Sequence, residues 1–369
     1  MGHEFGELRS LMQYDTLDKR QRNQLFTLMR EMWTRDPKTY QSQHLAYLEG
    51  FPHHFAKPLA KINTLNDFKQ AITIAPKARF HLSLIGQLKD IDGAQALATS
   101  PDLTNVSTLS IIYDNIQDEG MEALIHSPYL TNLRALTLRY CHITNAGAAT
   151  IAQSANMANL TSLHLPDNKL KANAIEAIAQ SSNLANLTSL NISDNITENE
   201  SVLALARSEY MTNLTSLALQ ENHLTKEGAF ALARSKYITK LTHLNLSMNM
   251  IEQQGVEAIA TSQAMSNLTS LKLYDNDIND DGIKALARSP HMANLRILDL
   301  NGNNVTSEGA QSLAQSANMA NLTSLILTSN IIETQGTQEL ATSPYLNNLT
   351  SLYLDSNDIT HKGLSLIHI

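Results

Sequence analysis

The residue types that most often catalyse reactions or bind metals are histidine, cysteine and the carboxylates, and this chain does not arrange them in a catalytic pattern. It has 13 histidines and 1 cysteine. The histidines do not follow the spacing of zinc ligands, and the adjacent residues of the one tight pair, His53 and His54, rarely converge on one ion. A phosphate-binding glycine loop, a G-x-S-x-G nucleophile elbow and an H-E-x-x-H motif are all missing from the sequence. We therefore predict that the chain is not an enzyme and carries no cofactor and no metal.

Side chains suited to recognising another protein recur at a fixed interval of 27 residues. One series reads Tyr113, Tyr140, Asp167, Asp194, Glu221, Met248, Asp275, Gly302. A second series reads Ser83, Ser110, Thr137, His164, Asn191, Ala218, Asn245, Lys272, Asp299, Ile326, Tyr353. Tyrosine and arginine often anchor protein interfaces, and Arg139 and His164 flank the two tyrosines. We predict that both series point toward the same side of the chain, the side that binds a partner.

The strongest candidates for contact residues are Tyr113, Arg139, Tyr140, His164, Asp167, Asp194, Glu221, Lys272, Tyr274 and Asp275. In this hypothesis the tyrosines hold an apolar part of the partner and the carboxylates hold a basic part. The simpler alternative is that the carboxylates are hydrated turn residues that promote solubility, which is the usual role of exposed charges. Calcium, which prefers oxygen ligands, is a less favoured third interpretation.

A short strand and a helix must position these residues in each unit. One unit reads Leu214-x-x-Leu217-x-Leu219-x-x-Asn222-x-Leu224, followed by Gly228 and a helical run. Leu217 and Leu219 alternate with polar residues, as a strand with one buried face requires. Thr225 stands where a helix N-cap is expected. Ten such units follow one another in register from Val106, after a degenerate unit that begins near residue 79.

An asparagine closes the strand in most units and is predicted to be buried, where its side chain bonds the backbone of the following turn. The set comprises Asn168, Asn195, Asn222, Asn249, Asn276, Asn303, Asn330 and Asn357. Cys141 takes the same place in its unit, so we interpret it as a structural thiol. The Asn-x-Ser/Thr triplets are likewise interpreted as part of the repeat and not as glycan acceptors.

The pattern L-x-x-L-x-L-x-x-N/C-x-L resembles that of leucine-rich-repeat proteins over residues 79–363. A unit of 27 residues with a full helix is similar to their ribonuclease-inhibitor-like class. The resemblance implies an α/β right-handed solenoid, a horseshoe with parallel strands on the concave face and helices on the convex face. It also implies a protein partner held on the concave face.

Residues 1–78 do not repeat and are predicted to form a helical N-terminal cap, because a solenoid leaves an apolar face bare at each end. Thr64 and Asp67 form a possible capping box for one of its helices. The stretch Tyr47-Leu-Glu-Gly50-Phe51-Pro, with Ala75-Pro76-x-x-Arg79-Phe80-x-Leu82, resembles the cap of bacterial repeat-companion leucine-rich-repeat proteins, although Glu49 replaces their arginine. That resemblance implies a bacterial source.

The last six residues, 364–369, depart from the repeat and match the translation of a sequencing-library adapter, so we expect them to be a scar at a truncated end. An alternative function follows from that expectation: the chain is the targeting module of a bacterial effector whose catalytic domain is missing. A GTPase-activating protein is a less favoured alternative that rests on fold analogy alone.

The net charge of −8 gives no reason to expect nucleic acid or an anionic membrane as a partner, because both select basic surfaces. The single cysteine rules out an intrachain disulfide and favours a reducing compartment. The amino terminus lacks the apolar run of a secretory signal. We predict a cytoplasmic protein, or one exported to a host cell by a route that the sequence does not reveal.

Overall fold

The computed structural model describes residues 24, 27–29, 31, 61–74 and 79–360. It divides into two compact units: unit 1 is Met1–Ile143 with Ser154–Leu160, and unit 2 is Thr144–Gln153 with Thr161–Ile369. Most of the predicted N-terminal cap and the predicted scar at 364–369 lie outside the described residues, so the boundary at residue 78 and the scar stay predictions.

Parallel strands with intervening helices make up the described part of unit 1. Its elements are β1 (Lys61–Ile62), α1 (Leu65–Ile74), β2 (Phe80–Ile85), α2 (Ile91–Ala98), β3 (Val106–Ile112), α3 (Gln117–Ile125) and β4 (Ala135–Arg139). Thr64 forms the predicted N-cap, since its Oγ1 accepts from Asp67 N at 3.0 Å; the Asp67 side chain bonds the Thr64 hydroxyl, Oγ1 to Oδ2 at 2.7 Å, where a capping box has a bond to the backbone N–H. The strands pair in chain order, with Leu82 beside Leu109 and Leu109 beside Leu136.

Unit 2 repeats the same arrangement with shorter strands and helices of similar length. Its elements are α4 (Asn145–Gln153), β5 (Ser162–His164), α5 (Ala172–Ala179), β6 (Ser189–Asn191), α6 (Glu198–Arg207), β7 (Ser216–Ala218), α7 (Lys226–Ala233), β8 (His243–Asn245), α8 (Glu252–Thr261), β9 (Ser270–Lys272), α9 (Asp280–Arg288), β10 (Ile297–Asp299), α10 (Ser307–Ala314), β11 (Ser324–Ile326), α11 (Glu333–Ala341) and β12 (Ser351–Tyr353). Each strand pairs in parallel with the next at an offset of 27 residues, as Leu190 does with Leu217. The predicted α/β solenoid is therefore confirmed in each unit.

The repeated leucines form the core, because the alternation within each strand turns them to one side of the sheet. Leu214, Leu217, Leu219 and Leu224 are all buried. Burying one such side chain contributes about 1.5–3 kcal/mol before the entropy of ordering it is subtracted. The opposite side of each sheet, here called the sheet face, carries the residues between the leucines.

Each buried asparagine at a strand end joins two successive turns. Asn249 is representative: its Oδ1 accepts from Asn222 N at 3.1 Å and from Leu224 N at 2.9 Å. Its Nδ2 donates to the carbonyls of Leu219, Leu246 and Ser247 at 2.9–3.1 Å. Asn195 and Asn303 make the same five contacts. The bonds satisfy backbone groups that would be costly to bury unpaired.

Two further ladders tie each turn to the one before it. The serine that follows most of the helices donates to a carbonyl of the preceding helix 29 residues back, as Ser235 Oγ does to Ala206 O at 2.7 Å. The threonine of most Asn-Leu-Thr triplets donates to the carbonyl of the residue 27 positions back, as Thr215 Oγ1 does to Thr188 O at 3.1 Å. The structural role predicted for these triplets is confirmed.

Candidate functional site

The residue that precedes each ladder position has a left-handed backbone. In unit 1 these residues are Gly86, Tyr113 and Tyr140, and in unit 2 they are Asp167, Asp194, Glu221, Met248, Asp275, Gly302, Ser329 and Ser356; their φ angles lie between 51° and 61°. We call this series the strand-end column. A left-handed conformation costs a residue other than glycine roughly 1–2 kcal/mol.

Hydrogen bonds to the next repeat hold that conformation. Asp194 N donates to Gln220 O at 2.9 Å, and Glu221 N donates to Ser247 O at 3.1 Å. The parallel ladder therefore continues past each strand. As a result, side chains of the column within one unit leave the backbone at equivalent points on successive turns.

In unit 1 the column presents two exposed tyrosines. The rings of Tyr113 and Tyr140 stack with centroids 4.8 Å apart and an interplanar angle of 17°. Their exposed fractions are 59% and 43%. Arg139 Cζ lies 5.4 Å from the centroid of the Tyr140 ring, a cation–π geometry. Ile85, also exposed, is on the sheet face two strands before Arg139, and we call these four residues the tyrosine patch.

In unit 2 the column presents three consecutive carboxylates, Asp167, Asp194 and Glu221, which we call the acidic column. The hydrogen bond that the protonated carboxyl of Glu221 donates to the side chain of Asp194 raises the pKa of Glu221 to about 7, with smaller contributions from burial and from the charges of Asp194 and Asp167. Two carboxylates can share a hydrogen bond only if one of them is protonated. Near neutral pH the acidic column therefore holds a proton that a basic group can displace.

The other residues predicted in unit 2 lie on the same sheet face. His164 Nε2 is 3.1 Å from Ser162 Oγ and 3.0 Å from Ser189 Oγ, and burial lowers the pKa of His164. Lys272 is exposed on β9, and its charge opposes the rise that burial causes in the pKa of Asp299.

Tyr274 and Asp275 follow β9, and the ring of Tyr274 determines what can occupy the next turn. A Cβ built on Gly302 would lie 3.0 Å from Tyr274 Cε2. Gly302 also has a φ of +60°. The backbone favours glycine here without requiring it, since other column residues with side chains share this conformation, and the Tyr274 ring would have to shift to admit a side chain.

The first two residues of the in-strand series lie on the sheet face but offer little exposed surface to a partner. Ser83 and Ser110 are buried. Their side chains are short, and on a strand the longer residues two positions away share the same face. For Ser83 these are His81 and Ile85.

Cys141 does not supply a reactive thiol. Its Sγ lies 3.4 Å from the carbonyl oxygens of Ile111 and Arg139, and burial raises its pKa to about 12. The thiolate is the nucleophilic form, so the structural role predicted for Cys141 is confirmed. Among the described residues no group of three or more His, Cys, Asp or Glu is arranged to hold a metal. The helices in that part of the chain are all too short or too polar to cross a membrane.

Sequence reasoning missed a group of apolar residues on the helix side of unit 2. Leu203 on α6 and Phe230 on α7 occupy an outward position that is polar on the neighbouring helices. Tyr210 and Tyr237, also 27 residues apart, follow the same two helices. A comparison of each helix position across the units would have found them.

Comparison with known proteins relates the repeats to a described family. The model of that family, described as "Leucine Rich repeat", matches residues 129–152, 210–233, 237–260, 264–287, 291–314 and 345–367. Of the solved structures, 221 chains match. One is the crystal structure of an internalin (inlF) from Listeria monocytogenes str. 4b F2365: it is 21% identical, the match covers 75% of this chain and 91% of that one, and the TM-score is 0.43. No curated protein matches the chain.

Proposed function

We propose that this chain, whose repeats match the model described as "Leucine Rich repeat", is a non-catalytic scaffold that binds a protein partner on the sheet face of its repeats, the face that the repeat pattern predicts to be concave. The observation that carries the proposal is the tyrosine patch of unit 1, where two stacked rings are exposed beside an arginine. Exposed aromatic residues with a neighbouring arginine are the side chains that contribute most to protein interfaces.

The left-handed backbone of the strand-end column does not require tyrosine at these two positions. Gly86 and Gly302 take the same left-handed conformation, which glycine adopts without steric cost. Tyr113 and Tyr140 instead combine that cost with the exposure of two large rings. Such a combination, unfavourable for the isolated chain, supports a role in which the rings are covered by a partner.

The acidic column supports a basic character for part of the partner. A lysine or arginine that approaches Asp194 and Glu221 would displace the shared proton and form a charge-assisted hydrogen bond, which is stronger than one between neutral groups. The net charge of −8 argues against nucleic acid and anionic membranes as the partner. We also propose that the protein is cytoplasmic, that it is bacterial, and that its repeats belong to the ribonuclease-inhibitor-like class.

The experiment compares capture by the chain with capture by a variant of the patch. The chain and its Tyr113→Ser/Tyr140→Ser variant are immobilised and exposed to a lysate of the source organism, and retained proteins are quantified by mass spectrometry. Tyr345→Ser is the matched control, because Tyr345 is also about 40% exposed but follows a helix and not a strand. Losing an interface anchor costs about 2 kcal/mol, which corresponds to roughly a 30-fold weaker Kd.

We expect at least one protein that the chain and the control retain and the double variant loses, at an unchanged melting temperature. Charge reversal of Asp167, Asp194 and Glu221 together is expected to weaken that same complex. A partner that binds the double variant with full affinity would refute the role of the tyrosines. If the charge-reversed variant binds that partner with full affinity, the acidic column does not contact the partner and its role is to promote solubility.

A further inference from the structure

The helix side of unit 2 has one position at which only two of its described helices carry a large apolar residue. Leu203 and Phe230 occupy it on α6 and α7. The equivalent residues on the other helices of unit 2 are Ala149, Glu176, Glu257, Lys284, Gln311 and Gln338. Leu203 is 37% exposed. A polar residue is the usual choice for an outward helix position, so the core does not require leucine there.

A groove of about 760 Å³ lies against this position. The groove is lined by three small side chains, Ala172 and Ala179 on α5 and Ala204 on α6. Tyr210 and Tyr237 line it beyond the helix ends. Its volume is within the range of about 300–1,000 Å³ that ligand sites occupy. The groove therefore offers an apolar floor large enough for one or two side chains of a partner.

The charges that line the groove are mainly negative. Glu176, Glu200 and Glu209 contribute three carboxylates, against one guanidinium from Arg207. Neither Glu200 nor Glu209 forms an ion pair within the described part of the chain. The nearby ammonium of Lys236 lies 4.9 Å from the Tyr237 ring centroid. A positively charged occupant would find acidic partners that are still free to pair.

We propose that this groove is a second docking site, which binds a short segment of a protein that carries an aliphatic or aromatic side chain next to lysine or arginine. The apolar side chain packs on Leu203 and Ala204 between the two tyrosine rings. The basic side chains pair with Glu200 and Glu209. The site is on the helix side, so it is independent of the partner proposed for the sheet face.

The test uses a random 12-residue peptide library displayed on phage and selected on the purified full chain, with Leu203→Glu as the counter-selection target. Glutamate already occupies this position on α5 and α8 as Glu176 and Glu257, so the variant is expected to fold. Enriched peptides are synthesised and their Kd values are measured by fluorescence polarisation. Gln311→Glu, at the same position on α10, is the matched control.

We expect enriched peptides that combine one apolar anchor with two or more basic residues, and at least tenfold weaker binding to Leu203→Glu than to the control. The variant Glu200→Lys/Glu209→Lys should lose these peptides and gain peptides whose basic residues are replaced by glutamate. Enrichment of no peptide, of acidic peptides, or of peptides indifferent to Leu203→Glu would overturn the proposal. Tyr113→Ser/Tyr140→Ser should bind the peptides normally, so failure here and failure at the sheet face are distinguishable.

Discussion

Replacing Asn303 with alanine tests whether the asparagine ladder holds the turns together. Asn303 is 6% exposed. Its Oδ1 accepts from Asn276 N at 3.1 Å and Ile278 N at 3.0 Å, and its Nδ2 contacts three carbonyl oxygens at 3.0–3.1 Å. Alanine leaves two N–H groups and several carbonyls without this partner.

The expected cost follows from the number of groups that lose their bonds. An unsatisfied buried polar group costs about 1–3 kcal/mol. The two N–H groups alone account for roughly 2–6 kcal/mol on that scale, so we expect Asn303→Ala to lower the free energy of unfolding by about 3–5 kcal/mol. Asn294 is the matched control: it is exposed and makes one inter-turn bond, from Nδ2 to Ser266 O at 2.8 Å. Water replaces that bond, so Asn294→Ala should cost about 0.5–1 kcal/mol.

The assay is urea denaturation followed by far-UV circular dichroism, with amide hydrogen exchange of Asn276 and Ile278. Because repeat arrays can unfold in parts, the exchange data show whether the loss is local to the substituted turn. We expect faster exchange at these two amides in Asn303→Ala and unchanged exchange in the control. If Asn303→Ala costs no more than Asn294→Ala, the ladder does not carry the inter-turn stability assigned to it.

Two further predictions concern the strand-end column. Gly302→Ala should destabilise the chain by about 1–3 kcal/mol, because a side chain there is strained at φ +60° and meets the Tyr274 ring. The control is Ser329→Ala, at an equivalent left-handed position that already carries a side chain. In the same denaturation assay the control should change the free energy of unfolding by no more than about 0.5 kcal/mol. Equal effects would mean that the Tyr274 ring moves aside and the backbone tolerates alanine. The pKa of Glu221 is raised from 4.5 to about 7, so the folded state binds this proton more tightly than the unfolded state does. Protonation of Glu221 therefore stabilises the folded state. That stabilisation is fully present below pH 4.5 and is lost as the pH rises through about 7. Glu221→Gln should therefore flatten the dependence of the melting temperature on pH between 5 and 8, and an identical dependence in both proteins would show that no proton is shared.

The repeat pattern was sufficient to predict the elements of the fold. Buried leucines alternate along each strand, and the spacing of Leu217, Leu219 and Asn222 specifies strand and turn without any distant contact. The N-cap predicted at Thr225 is confirmed, because its side chain accepts from Glu227 N and α7 begins at Lys226. The helical run that the pattern places after Gly228 therefore includes one earlier turn, which the cap stabilises.

The tyrosines and carboxylates could be predicted as candidate contacts because they recur in one register. The contacts within each group could not. Tyr113, Arg139 and Tyr140 come together in unit 1, whereas Asp167, Asp194 and Glu221 come together in unit 2. The sequence also gave no sign that Ser83 and Ser110 are buried, since a column position says nothing about the length of the neighbouring side chains.

The sequence by itself determined the 27-residue period, the buried leucines and the ladder, because these follow from a local pattern that every unit repeats. Only the tertiary structure decided the left-handed turns of the column, the 4.8 Å tyrosine stack, the raised pKa of Glu221 beside Asp194, and the groove beside Leu203. The turns depend on backbone hydrogen bonds to the next repeat, and the groove depends on how neighbouring helices pack. The tyrosine stack and the pKa of Glu221 depend on the distance between side chains that are 27 residues apart in the chain. Parallel pairing brings such residues together, and a strand spacing of about 4.8 Å allows their side chains to touch.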